Sequence, residues 1–105
     1  MASFTEQIWL SSVWRRHPDF AFRRIEDDGI LLPIRSNISQ ENPLYALNPL
    51  AAEIWDRIDG KHTGEEIRNQ LEQEYSVEKD TLTKDMGRFL EMLVEIGSVE
   101  RVEET

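Results

Sequence analysis

Leu44-Tyr45-Ala46-Leu47-Asn48-Pro49-Leu50-Ala51-Ala52-Glu53-Ile54-Trp55 is the stretch whose reading decides the fold. Leu44 to Leu47 is a short apolar run, read as a strand. Asn48-Pro49 then starts a helix: an Asn side chain caps free backbone N–H groups, and Pro suits the first helical position. Leu50, Ile54, Trp55 and Ile58 recur at helical spacing. Asp59-Gly60 ends the helix, with Gly60 as the left-handed residue beyond it. Trp55 is expected to anchor this helix on a sheet.

Upstream lie two more strands, Phe20 to Ile25 and Gly29 to Ile34. Phe20 and Phe22 alternate with smaller or charged neighbours. Ile30, Leu32 and Ile34 alternate likewise, the period of a half-buried strand. Asp28-Gly29 between the runs signals a hairpin, since Gly accepts positive φ without steric cost. Ser36 to Pro43 is polar and reads as a loop. Residues 1–14 read as an N-terminal extension before a domain at 15–102. Its Ile8, Trp9, Leu10, Val13 and Trp14 either pack on the domain or a partner, or belong to a partly frayed arm.

Downstream, Thr63-Gly64-Glu65-Glu66 is a capping box, followed by an apolar stripe of Ile67, Leu71 and Tyr75 and a stop near Tyr75-Ser76. The last helix is expected over Asp80 to Ile96, with Leu82, Met86, Phe89, Leu90 and Leu93 inward and Gly97 as its stop. Val99 and Val102 suggest a closing extended segment, and 103–105 a disordered tail. The sum is an α+β domain of winged helix-turn-helix character: a three-stranded antiparallel sheet followed by three helices.

Composition narrows the function. The 105 residues fit one domain, and 39% hydrophobic residues supply one small core. With 21 acidic against 12 basic side chains, the formal charge is -9. A phosphate-binding surface needs the opposite sign, and the one basic patch is Arg15, Arg16, Arg23 and Arg24. It reads as a scattered solvated patch, or as residues that pair with acidic groups or dock on a partner enzyme. Cysteine is absent, which removes disulfides and thiolate chemistry and is compatible with a cytoplasmic location. Met1 to Leu10 lacks the form of a signal peptide, and no apolar run reaches the roughly 20 residues that span a bilayer. His17 and His62 have no ligand spacing around them, Ser11 and Ser12 no evident base, and the glycines no phosphate-loop pattern. No catalytic residue, metal or cofactor is indicated, so an enzyme is not expected.

Arg15-Arg16-His17-Pro18-Asp19, Gly29-Ile30-Leu31-Leu32, Leu44 to Asn48, Ala51-Ala52-Glu53-Ile54-Trp55 and Asp59-Gly60 together resemble the PqqD family. Thr63 with Glu66-Ile67, and Asp85 with Phe89-Leu90, continue the resemblance, which covers about residues 15 to 100. Leu47 to Trp55 is its most specific part. The resemblance implies a non-catalytic peptide chaperone for ribosomally made, post-translationally modified peptides. The leader of the precursor would add a strand to the third sheet strand, beside the last helix. The partner enzyme would often be a radical S-adenosylmethionine enzyme, in pyrroloquinoline quinone or related peptide biosynthesis.

Physics supplies a site for such a role. A short edge strand offers unpaired N–H and C=O groups to an extended peptide. The peptide-binding residues expected here are Leu44, Tyr45, Ala46 and Leu47 on the strand, with Thr83, Met86, Gly87, Leu90 and Val94 on the last helix. Gly87 costs about 1 kcal/mol in a helix against Ala, which suits close approach of a peptide backbone or marks a merely tolerated exposed Gly. Two other readings stand beside this one. The last helix can be the recognition helix of a winged-helix DNA-binding regulator, against which its acidic residues argue. The Trp-containing arm can swap onto a neighbour in a dimerising structural subunit.

Overall fold

The computed structural model describes residues 5–34 and 44–103. The expected loop at Ser36 to Pro43, and Glu104 and Thr105 of the expected tail, lie outside them. In chain order the elements are α1 (Glu6–Ser11), β1 (Trp14–Arg16), β2 (Phe20–Ile25), β3 (Asp28–Pro33), β4 (Tyr45–Leu47), α2 (Pro49–Arg57), α3 (Gly64–Glu74), α4 (Lys79–Glu95) and β5 (Val99–Arg101). β2, β3 and β4 form an antiparallel three-stranded sheet in that order, with three helices after it. The α+β, winged-helix-like architecture read from the sequence is therefore present. Two features join it: α1 in front, and a second antiparallel ladder, β1 with β5.

The register of the sheet decides which side chains meet the core. Phe22 pairs with Leu31 and Leu31 with Tyr45, while Arg24 pairs with Gly29 and Gly29 with Leu47. Cross-strand partners share a face, so Phe22, Gly29, Leu31, Tyr45 and Leu47 all face α2. Leu31 and Leu47 are buried. The alternation of Ile30, Leu32 and Ile34 thus marks the opposite, outer face, and Ile34 lies 55% exposed just past the strand. A slip of one residue exchanges the two faces, and β3 is apolar on both, so periodicity alone does not choose between them.

Gly29 shows what sets the register. A Cβ there would sit 2.7 Å from Phe22 Cζ and 3.3 Å from Ala52 Cβ, so α2 and the Phe22 ring close over bare backbone. Gly29 is a strand residue and not the turn residue expected from Asp28-Gly29. Ile25 pairs with Asp28, which leaves Glu26-Asp27 as the turn, and Glu26 carries the positive φ of 59°.

The helices begin as their caps dictate. Asn48 accepts from the N–H of Ala51 through its side chain, and Thr63 and Glu66 close the reciprocal capping box. The end of α2 differs from the expected one. It stops at Arg57 with Ile58 extended, and Gly60, at φ 80°, donates its N–H to the Trp14 carbonyl at 2.8 Å. Tyr75 lies past α3 and is 41% exposed, and Arg68 takes the buried place beside Ile67 and Leu71. α4 starts one residue earlier than Asp80 and ends at Glu95. Leu82, Met86, Leu90 and Leu93 are fully buried along it, and Phe89 is half-buried.

The N-terminal segment is packed on the domain. Trp9 and Trp14 are 2% and 3% exposed, and the indole N–H of Trp14 donates to the Trp9 carbonyl at 3.1 Å. Backbone bonds run from Gly64 N to the Ser12 carbonyl at 3.0 Å and from Val102 N to the Val13 carbonyl at 2.8 Å. A six-residue helix such as α1 is far too short to persist alone. The burial of Trp9 against α3 and α4 is what holds it.

Candidate functional site

β4 is the edge of its sheet: it pairs with β3 on one side and with no other strand among the described residues. Alternate residues of a strand turn their backbone groups to opposite sides, so part of the β4 backbone faces outward. Directly after β4, Asn48 and the first turns of α2 form one wall of a cleft of about 400 Å³. Asn48, Leu50, Ala51 and Ile54 line that wall, and Asp85, Arg88 and Phe89 of α4 line the other. Leu50 and Phe89 are half-buried over the core. At the mouth, Arg88 donates weakly to Asp85 at 3.4 Å. The cleft thus joins an apolar floor to a polar rim carrying both signs of charge.

The strand residues expected from sequence lie at this edge with different exposures. Leu44 precedes the strand and is 62% exposed, Ala46 is exposed, Tyr45 is half-buried and Leu47 is buried. The expected helix residues are distributed differently. Met86 and Leu90 are 0% and 1% exposed, so they form core beneath the cleft. Thr83 is buried, donates to the Lys79 carbonyl at 2.8 Å and accepts from Arg68 at 3.4 Å, which ties it to α3. Gly87 meets Trp9: a Cβ there would stand 3.0 Å from the Trp9 indole nitrogen. The neighbour that the missing side chain admits is therefore the chain's own α1. Val94 is 39% exposed near the end of α4.

Sequence reasoning missed Asn48, Leu50, Ala51, Ile54, Asp85, Arg88 and Phe89 as a constellation. A signal existed. Asp85, Arg88 and Phe89 share one helical stripe by their i, i+3 and i+4 spacing. Choosing it over the Thr83-Gly87 stripe requires knowing that α1 occupies the other side of α4.

A second cleft, also about 400 Å³, lies across Leu50 and is lined by Arg24, Asp27, Pro49, Leu50, Glu53, Tyr75 and Val77. Its rim is braced by ion pairs. Arg24 bonds Asp56 at 2.8 Å and Glu53 at 3.0 Å, and Arg57 pairs with Glu74 at 2.7 Å and Glu53 at 3.3 Å. Hydrogen bonds to Asp56 first, and to Glu53 next, hold the Arg24 guanidinium above its ordinary pKa. This network fixes the hairpin to α2, and so fixes where β4 stands.

The model of the family described as Coenzyme PQQ synthesis protein D (PqqD) matches residues 29–99. The chain belongs to the PqqD family. The match spans β3 to the start of β5, so β4, α2 and α4, which build the cleft, all fall within it. A comparison with curated protein sequences found no match. Solved structures share the fold of this chain. "Lasso peptide synthetase B1 complexed with the leader peptide" is 25% identical with a TM-score of 0.68, covering 85% of this chain and 99% of that one. "TbiB1 in Complex with the TbiA(beta) Leader Peptide" is 24% identical with a TM-score of 0.68, covering 82% and 94%. "Structure of the heterocyclase TruD" is 26% identical with a TM-score of 0.56, covering 87% of this chain but 12% of that one. Among the described residues, no helix is long and apolar enough to cross a membrane.

Proposed function

We propose that this PqqD-family chain binds the leader segment of a ribosomally made precursor peptide and presents it to a modifying enzyme, with no bond chemistry of its own. The leader lies as an added strand along Tyr45, Ala46 and Leu47. Side chains of one parity enter the cleft between α2 and α4. The observation that carries this reading is a three-residue strand that pairs with β3 alone among the described residues, followed directly in the chain by one wall of a cleft of about 400 Å³ with apolar and polar lining. Family membership supports it, as does the likeness to a lasso peptide synthetase B1 protein whose structure holds a leader peptide.

Magnitudes assign the roles. Each ladder hydrogen bond nets about 0.5–1.5 kcal/mol, and an edge of three residues offers only a few. A micromolar complex needs about 8 kcal/mol. Burying an aliphatic or aromatic leader side chain adds about 1.5–3 kcal/mol. The edge therefore sets the direction of the peptide, and the cleft decides affinity and choice of sequence. The contribution to the reaction is effective concentration and orientation.

A radical S-adenosylmethionine enzyme in the cytoplasm, acting in pyrroloquinoline quinone or related peptide biosynthesis, is the partner proposed. Of the helix residues expected from sequence to bind peptide, Met86 and Leu90 support the cleft floor together with Ile54, and the residues that touch the peptide are instead the half-buried Ala51 and Phe89. Binding of the fluorescently labelled leader from the precursor encoded beside the gene tests this. Phe89→Ala is expected to weaken binding about tenfold or more, a loss of about 1.4 kcal/mol. Unchanged affinity in a folded Phe89→Ala protein contradicts the cleft.

A further inference from the structure

The outer face of the β2–β3–β4 sheet is unlike an ordinary solvated face. The register places Ala21, Arg23, Ile25, Ile30, Leu32 and Ala46 on it, and the one helix wall described above, α2, covers the opposite face through Gly29 and Ala52. An antiparallel sheet with one face in water normally alternates apolar-in with polar-out. Here Ile25 is 50% exposed, Ile30 and Leu32 are half-buried, and Ala46 is exposed. Ile34 and Leu44, 55% and 62% exposed, continue the same parity past the strand ends. In a chain in which 31% of residues are charged, this face carries Arg23 amid aliphatic side chains, and Asp28 at the hairpin end. Arg23 is exposed and pairs with no carboxylate among the described residues. A strand that is apolar on both faces is the pattern of a sheet covered on both sides.

We propose that this outer face is where the peptide-modifying enzyme docks, with an apolar patch that carries a carboxylate opposite Arg23. Charge selects this occupant over a second copy. Another copy brings the same Arg23, only Asp28 at the hairpin end of this face to meet it among the described residues, and a further formal charge of -9. Continuity with the peptide edge selects an enzyme that handles the peptide, and in this respect the inference rests on the function proposed above. Side chains of an added strand alternate between faces. While one parity enters the α2–α4 cleft, the other joins the outer face beside Ala46. A protein seated there touches sheet and leader together, so a loaded chain is recognised more tightly than an empty one.

The test uses the full chain, the modifying enzyme encoded beside its gene, and the leader peptide, with calorimetric binding measured pairwise. Arg23→Glu and Ile25→Glu, both at exposed positions, are each expected to weaken enzyme binding at least tenfold while leader affinity stays within twofold of the parent. Enzyme affinity unchanged in both variants overturns the proposal, as does a parent chain that does not bind the enzyme. Sedimentation showing a parent dimer that either substitution dissociates assigns the face to self-association and also overturns it. If the parent fails to bind leader yet loses the enzyme on substitution, the docking face stands and the peptide-binding reading falls.

Discussion

Asp59 shows how one side chain shapes the connection that orients two helices. Its Oδ1 accepts from the N–H groups of Lys61 at 2.8 Å and His62 at 3.1 Å, and its Oδ2 lies 2.8 Å from His62 Nδ1. Partial burial acts to raise its pKa, but the Lys61 N–H, the His62 ring and the His62 N–H together outweigh it, and the net shift is downward. A carboxylate with a lowered folded pKa stabilises the fold above its unfolded value of about 3.9, and that stability is lost as pH falls through the folded value. The side chain is 35% exposed, so solvent screening limits the effect to about 1 kcal/mol or less. Urea unfolding of Asp59→Asn is expected to show a lower midpoint than the parent at pH 6, with the gap closing as pH falls below about 4. A gap that stays constant to pH 2 would contradict this role. Glu26 is the residue-scale counterexample: its φ of 59° was hidden by the neighbouring Asp28-Gly29, because turn chemistry named the right hairpin but the packing of Phe22 on Gly29 moved the turn by two positions.

At the scale of elements, the segments with strong local signals were readable: the Asn48 cap, the Thr63–Glu66 box, and the apolar stripe of α4. What escaped depends on contacts between distant segments. α1 has six residues, and its place is determined by Gly64 and Gly87, which sit on two different helices and leave a slot for one indole. A Gly within α4 is ambiguous in sequence between a ligand site and an internal packing site, and here Trp9 occupies the space. The same holds for β3, whose two apolar faces made the inward choice depend on Gly29. Trp9→Ala is expected to cost about 3–5 kcal/mol, the range for truncating a buried Trp. Gly64→Ala should cost about 1–3 kcal/mol by overpacking, since its Cβ would lie 2.8 Å from Trp9 Cε3. Chemical denaturation measures both. Losses below about 0.5 kcal/mol in each would mean that α1 contributes little to the fold.

For the whole molecule, the arrangement separates two jobs. α1 fills the space at Gly87 on one side of α4, where α3 also bonds it through Arg68 and Thr83, while the Phe89 side faces α2 across the cleft, beside a strand edge that pairs with β3 alone among the described residues. The fold class and the edge strand were accessible from the sequence because they rest on local patterns. The helix wall was not, because it follows from which face of α4 the rest of the chain consumes. The central claim is that a leader peptide adds to β4 and fills the α2–α4 cleft. NMR titration of the isotope-labelled chain with the leader of the precursor encoded beside its gene tests it most directly. The account predicts shifts concentrated at Tyr45 to Asn48 and at Asp85 to Phe89, slowed amide exchange in β4, and an unmoved Trp9 indole signal. Shifts confined to α1 and α3, or none at saturating peptide, would contradict it.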